Sequence, residues 1–161
     1  MKVKSDRLIA YLGNPIVKND CIGIKIGKLL EKELYHYKNT EVCEFVGSPL
    51  DLACQFSGYK EIILLDSIIT SRLASGSVII LSEKELSAFS QKVYHIHGIN
   101  LPEALVLNRR LGMPLPDRLY LIGIEIGHAD EFGETLSDEL RGKFDEIYDT
   151  VLAAVYRLLP P

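Results

Sequence analysis

Cysteine is scarce in this chain of 161 residues: Cys21, Cys43 and Cys54 are the whole complement, odd in number and without a CxxC pair. That excludes a disulfide framework and is the pattern of reduced thiols in a cytoplasmic protein. The start, MKVKSDRLIAYLG, has positive charge but no apolar stretch long enough for a signal peptide or a membrane anchor, so no membrane insertion is expected. A dense basic stripe is also missing. Lysine and arginine total 18 against 22 acidic residues, for a formal charge of -4, and clusters such as Arg109-Arg110 are short. A nucleic-acid backbone is therefore excluded as the main partner. Neither an HExxH zinc signature nor a recognisable Ser-His-Asp order supplies a conventional hydrolytic plan. Internal repeats, low-complexity segments and interdomain linkers are absent as well.

What remains is an ordinary globular composition, with 47% apolar residues, 12 glycines and 7 prolines. Size scaling takes an unfolded surface of about 26,000 Å² to a folded one of about 8,000 Å², burying roughly two thirds. Such a chain supports its own core, and residues 1–161 are expected to form a single domain.

Elements alternate along it. LIAYL, residues 8–12, is a short apolar run stopped by Gly13-Asn14-Pro15 and predicts a strand. From Ile22 a helical period takes over, with Ile22, Ile26, Leu29 and Leu30 on one side and Lys25, Lys28 and Lys32 mostly on the other. Residues 41–46 predict a second strand, and Ser48 a cap for a short helix over 49–56 with proline at its first position. EIILLD, residues 61–66, is continuously apolar up to its aspartate, as a strand covered on both faces requires. Residues 77–81 predict another strand, 82–90 carry no clear period, and VYHIH at 93–97 reads as extended. Asn100 and Glu103 form a capping-box pattern for a helix ending near Gly112. Residues 118–126 predict the last strand. Ser137 opens a final helix striped by Leu140, Phe144, Ile147, Val151, Ala154 and Leu158. The expected fold is a three-layer α/β/α sandwich around a mostly parallel sheet, with room for one antiparallel strand.

Three polar residues follow or interrupt core-like segments: Asp20, Asp66 and His97. In a parallel sheet, residues just beyond the carboxyl ends of strands converge even when distant in sequence. Two carboxylates and an imidazole offer oxygen and nitrogen ligands to a divalent transition metal, with positions left for water or substrate. Each has a plainer reading. Asp20 is placed to cap the helix at Ile22, Asp66 to accept turn amides, and His97 to be a satisfied, partly buried histidine. The apolar residues of 47–56 and 73–76 could line a protein-binding cleft, although amphipathic packing explains most of them.

Gly13-Asn14-Pro15-Ile16-Val17-Lys18-Asn19-Asp20-Cys21-Ile22-Gly23 resembles the N-terminal glycine-asparagine and acidic motif of nickel–iron hydrogenase maturation endopeptidases. Ile63-Leu64-Leu65-Asp66 is similar to that family's strand ending in aspartate. His97-Gly98-Ile99-Asn100-Leu101-Pro102-Glu103-Ala104-Leu105 resembles its histidine-led segment entering a helix. Gly123-Ile124-Glu125 and Leu136-Ser137 resemble its late pattern. The pieces span most of the chain in the family's order.

The resemblance implies an endopeptidase that removes the C-terminal extension of a hydrogenase large-subunit precursor after nickel has entered it. Asp20, Asp66 and His97 would be both the catalytic set and the metal-recognition ligands; Asn19 and His95 are candidates to support those ligands from behind, although for His95 an exposed strand position is the preferred reading. The nickel would come with the precursor, a transient partner, and no tightly bound organic cofactor is expected. Asn19 stands where the family usually has aspartate, Cys21 where it has a small residue, and the glycine-rich feature after the second ligand is reduced to Ser75-Gly76. Cys21 invites a thiol-nucleophile reading, to which a small buried residue is preferred. Two readings from other classes stand beside this one: a metal-dependent small-molecule hydrolase and a noncatalytic nickel-site assembly chaperone.

Overall fold

The computed structural model describes residues 5–89 and 101–159. Its centre is a five-stranded sheet. The strands are β1 (Arg7–Tyr11), β2 (Thr40–Glu44), β3 (Glu61–Ile68), β4 (Val78–Ser82) and β5 (Arg118–Glu125), in the order β2-β1-β3-β5-β4. β1 runs parallel to β2 and β3, and β3 parallel to β5, whereas β4 pairs antiparallel with β5 at the edge. The mostly parallel sheet with one antiparallel strand is thus as expected.

Strand alternation divides the core into two layers. Ile9, Tyr11, Ile63, Leu65, Ile122 and Ile124 face α1 (Ile22–Glu33) and α6 (Phe144–Leu158). Leu8, Ala10, Ile62, Leu64, Leu119 and Leu121 face the other way. They pack on α2 (Pro49–Gln55), α3 (Glu83–Phe89) and α4 (Leu101–Arg110). Both faces of the parallel strands are covered, which is why their sequences are nearly continuous apolar runs.

Local differences from the sequence expectation have local causes. Residues 83–89 form α3, where Ser82 and Glu85 exchange capping bonds: Ser82 N and Oγ both donate to Glu85, and Glu85 N donates back to Ser82 Oγ. The last helix is two. α5 (Asp138–Gly142), capped by Ser137 Oγ accepting from Leu140 N, stops at Gly142-Lys143 before α6 begins. Strand β3 does not end at Asp66 but continues through Ser67 to Ile68, because β5 pairs with it along its full length. Asn100 and the extended reading of 93–97 lie outside the described residues.

Helix α1 lies unusually close to β1. A methyl built on Gly23 would fall 2.2 Å from the Leu12 carbonyl oxygen, and one on Gly27 would fall 2.0 Å from the Tyr11 ring. Glycine at these positions sets how deeply the helix start, and the loop before it, sits over the sheet. Gly23→Ala gains about 1 kcal/mol of helix propensity but meets backbone rather than a movable side chain. Net destabilisation of roughly 1–3 kcal/mol is expected, measured as a fall in the denaturant midpoint at unchanged m. Unchanged stability would mean that the close approach is slack.

Candidate active site

The carboxyl ends of β1 and β3 bring together two of the residues singled out from the sequence. Asp20 sits immediately before α1, where unsatisfied helix N–H groups favour negative charge. It is fully buried. Its side chain is not the helix cap: Cys21 precedes α1 as the cap residue and makes no side-chain cap bond. Asp20 Oδ2 instead accepts from Asn14 N at 2.9 Å, and Oδ1 accepts from the hydroxyl of Ser67. Asp66 is half-buried, and its Oδ1 accepts from Ser67 N at 2.8 Å.

Ser67 therefore donates to both carboxylates, its amide to Asp66 and its hydroxyl to Asp20. Alternation explains how. Asp66 shares the face of Ile62, Leu64 and Ile68, while Ser67 shares that of Ile63 and Leu65, beneath α1. The two aspartates approach from opposite faces of the sheet and meet at its edge. His97 and His95 lie outside the described residues.

The loop from β1 to α1 is tied in from several sides. Gly13 packs so tightly that an added methyl would sit 2.6 Å from the Asp20 carbonyl oxygen. Asn19 takes a left-handed backbone (φ 69°), a conformation asparagine tolerates well. Its buried side chain accepts from Ser137 N at 2.7 Å, joining the loop to the start of α5. The side-chain oxygen thus organises the loop without a second charge. Further out, Val17 forms a β-bridge with Phe132, and Lys18 N donates to the Glu131 carbonyl at 2.9 Å.

Cys21 is buried, its Sγ 3.8 Å from the Glu134 carbonyl oxygen, and burial pushes its thiol pKa up. A nucleophilic thiolate needs the opposite shift, so Cys21 is a packing residue. Beside Asn14 a cleft of about 280 Å³ opens between Leu12–Pro15 and Phe45–Gly47. Of residues 47–56, Gly47 lines this cleft, while Leu52 and Phe56 are core, as amphipathic packing requires. Among the described residues, His128, Asp130 and Glu131 also approach one another, but all three are exposed and Glu131 is engaged by Lys18 at 2.5 Å.

Two further polar residues, Ser67 and Glu125, stand near these carboxylates without having been assigned a chemical role from the sequence. Ser67 carries no signal, being one serine beside the suspected aspartate. Glu125 does carry one, since it interrupts the apolar run of residues 118–126. It is fully buried and accepts from Thr70 N, Thr70 Oγ1 and Gly127 N at 2.8, 2.6 and 3.1 Å.

Known proteins resemble this chain in sequence and in fold. The family model described as "Hydrogenase maturation protease" matches residues 24–154. The chain is 24% identical over 148 residues to the hydrogenase 2 maturation protease of Escherichia coli K12, covering 92% of this chain and 89% of that one. The hydrogenase maturating endopeptidase HybD of E. coli superposes with a TM-score of 0.71 at 23% identity, covering 94% and 92% of the two chains. The [NiFe] hydrogenase maturation protease HybD of Thermococcus kodakarensis gives 0.65 at 25% identity, covering 92% and 97%. With the family model spanning most of its length and the same sheet beneath the match, this chain belongs to the hydrogenase maturation protease family.

Proposed function

We propose that this protein is an endopeptidase that removes the C-terminal extension of a nickel-loaded hydrogenase large-subunit precursor, the whole chain acting as one domain in the cytoplasm. The observation that carries the reading is the convergence of Asp20 and Asp66 on Ser67 at the carboxyl edge of the sheet. Among the described residues no helix is long and apolar enough to cross a membrane.

In this reading Asp20, Asp66 and His97 recognise the nickel that the precursor brings, directly or through water. Asn19 and His95 support them. The nickel is part of the substrate, and the peptidase contributes outer ligands. Ser67 holds the Asp20 carboxylate in one orientation by its hydroxyl, and Asn14 N restrains the other oxygen. The bound metal positions the tail so that water attacks the scissile carbonyl. Cleavage then releases the extension and the transient complex separates.

The deciding experiment incubates the protein with nickel-loaded and nickel-free precursors and measures precursor mass. A discrete C-terminal mass loss confined to the nickel-loaded form is expected. Binding without mass loss would instead favour an assembly chaperone, and absence of binding a small-molecule hydrolase. Asp20→Asn, Asp66→Asn and His97→Ala should each slow processing by roughly 100-fold or more, the scale of a misplaced reacting group. Circular dichroism should report an intact fold, and normal cleavage by such folded variants would remove these residues from the site.

Cys21→Ala should keep substantial processing activity, since the thiol is buried and held protonated. Complete loss in a folded variant would revive a thiol mechanism.

A further inference from the structure

The loop that leaves β3 just beyond the two carboxylates is held at both ends by one residue. Glu125 accepts from Thr70 N and Thr70 Oγ1 with its side chain. With its backbone it accepts from Gly76 N at 2.7 Å and donates to the Ser77 carbonyl at 2.9 Å. Thr70 Oγ1 in turn accepts from Arg72 N and Leu73 N at 3.1 and 3.2 Å. These bonds close a tight turn in which Ser71 takes the left-handed backbone conformation (φ 56°).

This is more hardware than a connection between two strands requires. A left-handed non-glycine residue persists only where its surroundings over-determine it, and such positions cluster where a protein presents something. A buried carboxylate is equally costly unless fully bonded, and Glu125 is bonded on both oxygens. What the device presents is the tip, residues 71–74, all exposed. Leu73 is 38% exposed, large for an apolar side chain in so constrained a turn. Arg72 makes no ion pair among the described residues.

Placement supplies the second argument. Thr70 is three residues beyond Ser67, which bridges Asp20 and Asp66. Glu125 lies on the strand paired with β3, in register with Ile68 and on the face that Asp66 shares. The loop therefore rises from the same sheet edge as the two carboxylates.

We propose that the 70–76 loop is a recognition finger for the precursor tail, with Arg72 and Leu73 as its reading residues and Glu125 as its positioning residue. This rests on the peptidase reading above. Leu73 offers an apolar contact, and Arg72 a planar fork suited to a carboxylate of the tail, either an acidic side chain or the terminal carboxylate. Glu125 touches no reacting atom and acts through the loop.

The test is steady-state processing of nickel-loaded precursor by the full-length protein, with amide hydrogen exchange measured on the free enzyme. Arg72→Gln and Thr70→Val should each raise KM on the order of tenfold with kcat within about twofold, the scale of one charge-assisted hydrogen bond. Thr70→Ser, which keeps the hydroxyl, should restore KM. Exchange at Arg72, Leu73 and Gly76 should quicken in Thr70→Val while β5 stays protected. Glu125→Gln should behave as Thr70→Val does if it folds; the Thr70 pair decides the matter if it does not.

On a precursor whose tail acids are changed to amides, wild type and Arg72→Gln should converge in KM if side-chain carboxylates are read. Convergence only after amidation of the tail's terminus would assign the terminal carboxylate, and a difference that survives both overturns the carboxylate assignment. A fall in kcat at constant KM, or unchanged kinetics despite faster exchange, overturns the finger. If wild type cleaves no precursor, the peptidase reading fails, while the exchange experiment still reports whether Glu125 and Thr70 hold the loop.

Discussion

Two carboxylates delivered to one edge of a sheet repel each other, and partial burial strengthens the repulsion by removing water. Ser67 meets this constraint with donors pointing to opposite sides of the strand, its amide to Asp66 and its hydroxyl to Asp20. The arrangement depends on β3 continuing past Asp66. Had the strand ended at the aspartate, Ser67 would have no fixed orientation and the two faces would have no shared contact. The pairing of Asp66, Ser67 and Ile68 with Gly123, Ile124 and Glu125 is what extends it.

The same edge is built from close approaches that leave little freedom. Gly23 and Gly27 let α1 settle against β1, Gly13 packs on the Asp20 backbone, and Asn19 ties the loop to the start of α5. A buried site of this kind is costly to assemble, because every polar atom taken from water needs a partner. Asp20, Asn19 and Glu125 each receive theirs from backbone amides or hydroxyls.

The contrast with Glu61 is instructive. That carboxylate is also almost fully buried, at the opposite end of β3, but Arg7 and Arg118 approach it at 3.3 and 3.2 Å. Two guanidinium groups satisfy its charge, and it secures the start of three neighbouring strands. Asp20 and Asp66 instead share a neutral donor, Ser67, through its hydroxyl and its amide.

Hydrophobic periodicity was enough to place every strand of the sheet to within a few residues, because a strand buried on both faces must be apolar nearly throughout and a docked helix must carry a stripe. It also marked Asp66, since a charge that interrupts such a run demands a reason. Glu125 shows the limit of that signal: it interrupts the neighbouring run just as plainly, yet its partners Thr70 and Gly76 lie some fifty residues earlier in the chain. Asp20 read equally well as a helix cap, and only the tertiary structure turned its oxygens to Asn14 and Ser67. The amino-acid order by itself determined the layers, the apolar faces and the suspicion attached to Asp66. Tertiary structure alone decided that Ser67 joins two carboxylates and that Glu125 grips both ends of a loop, because hydrogen bonds between distant segments depend on register and facing, which leave no periodic mark.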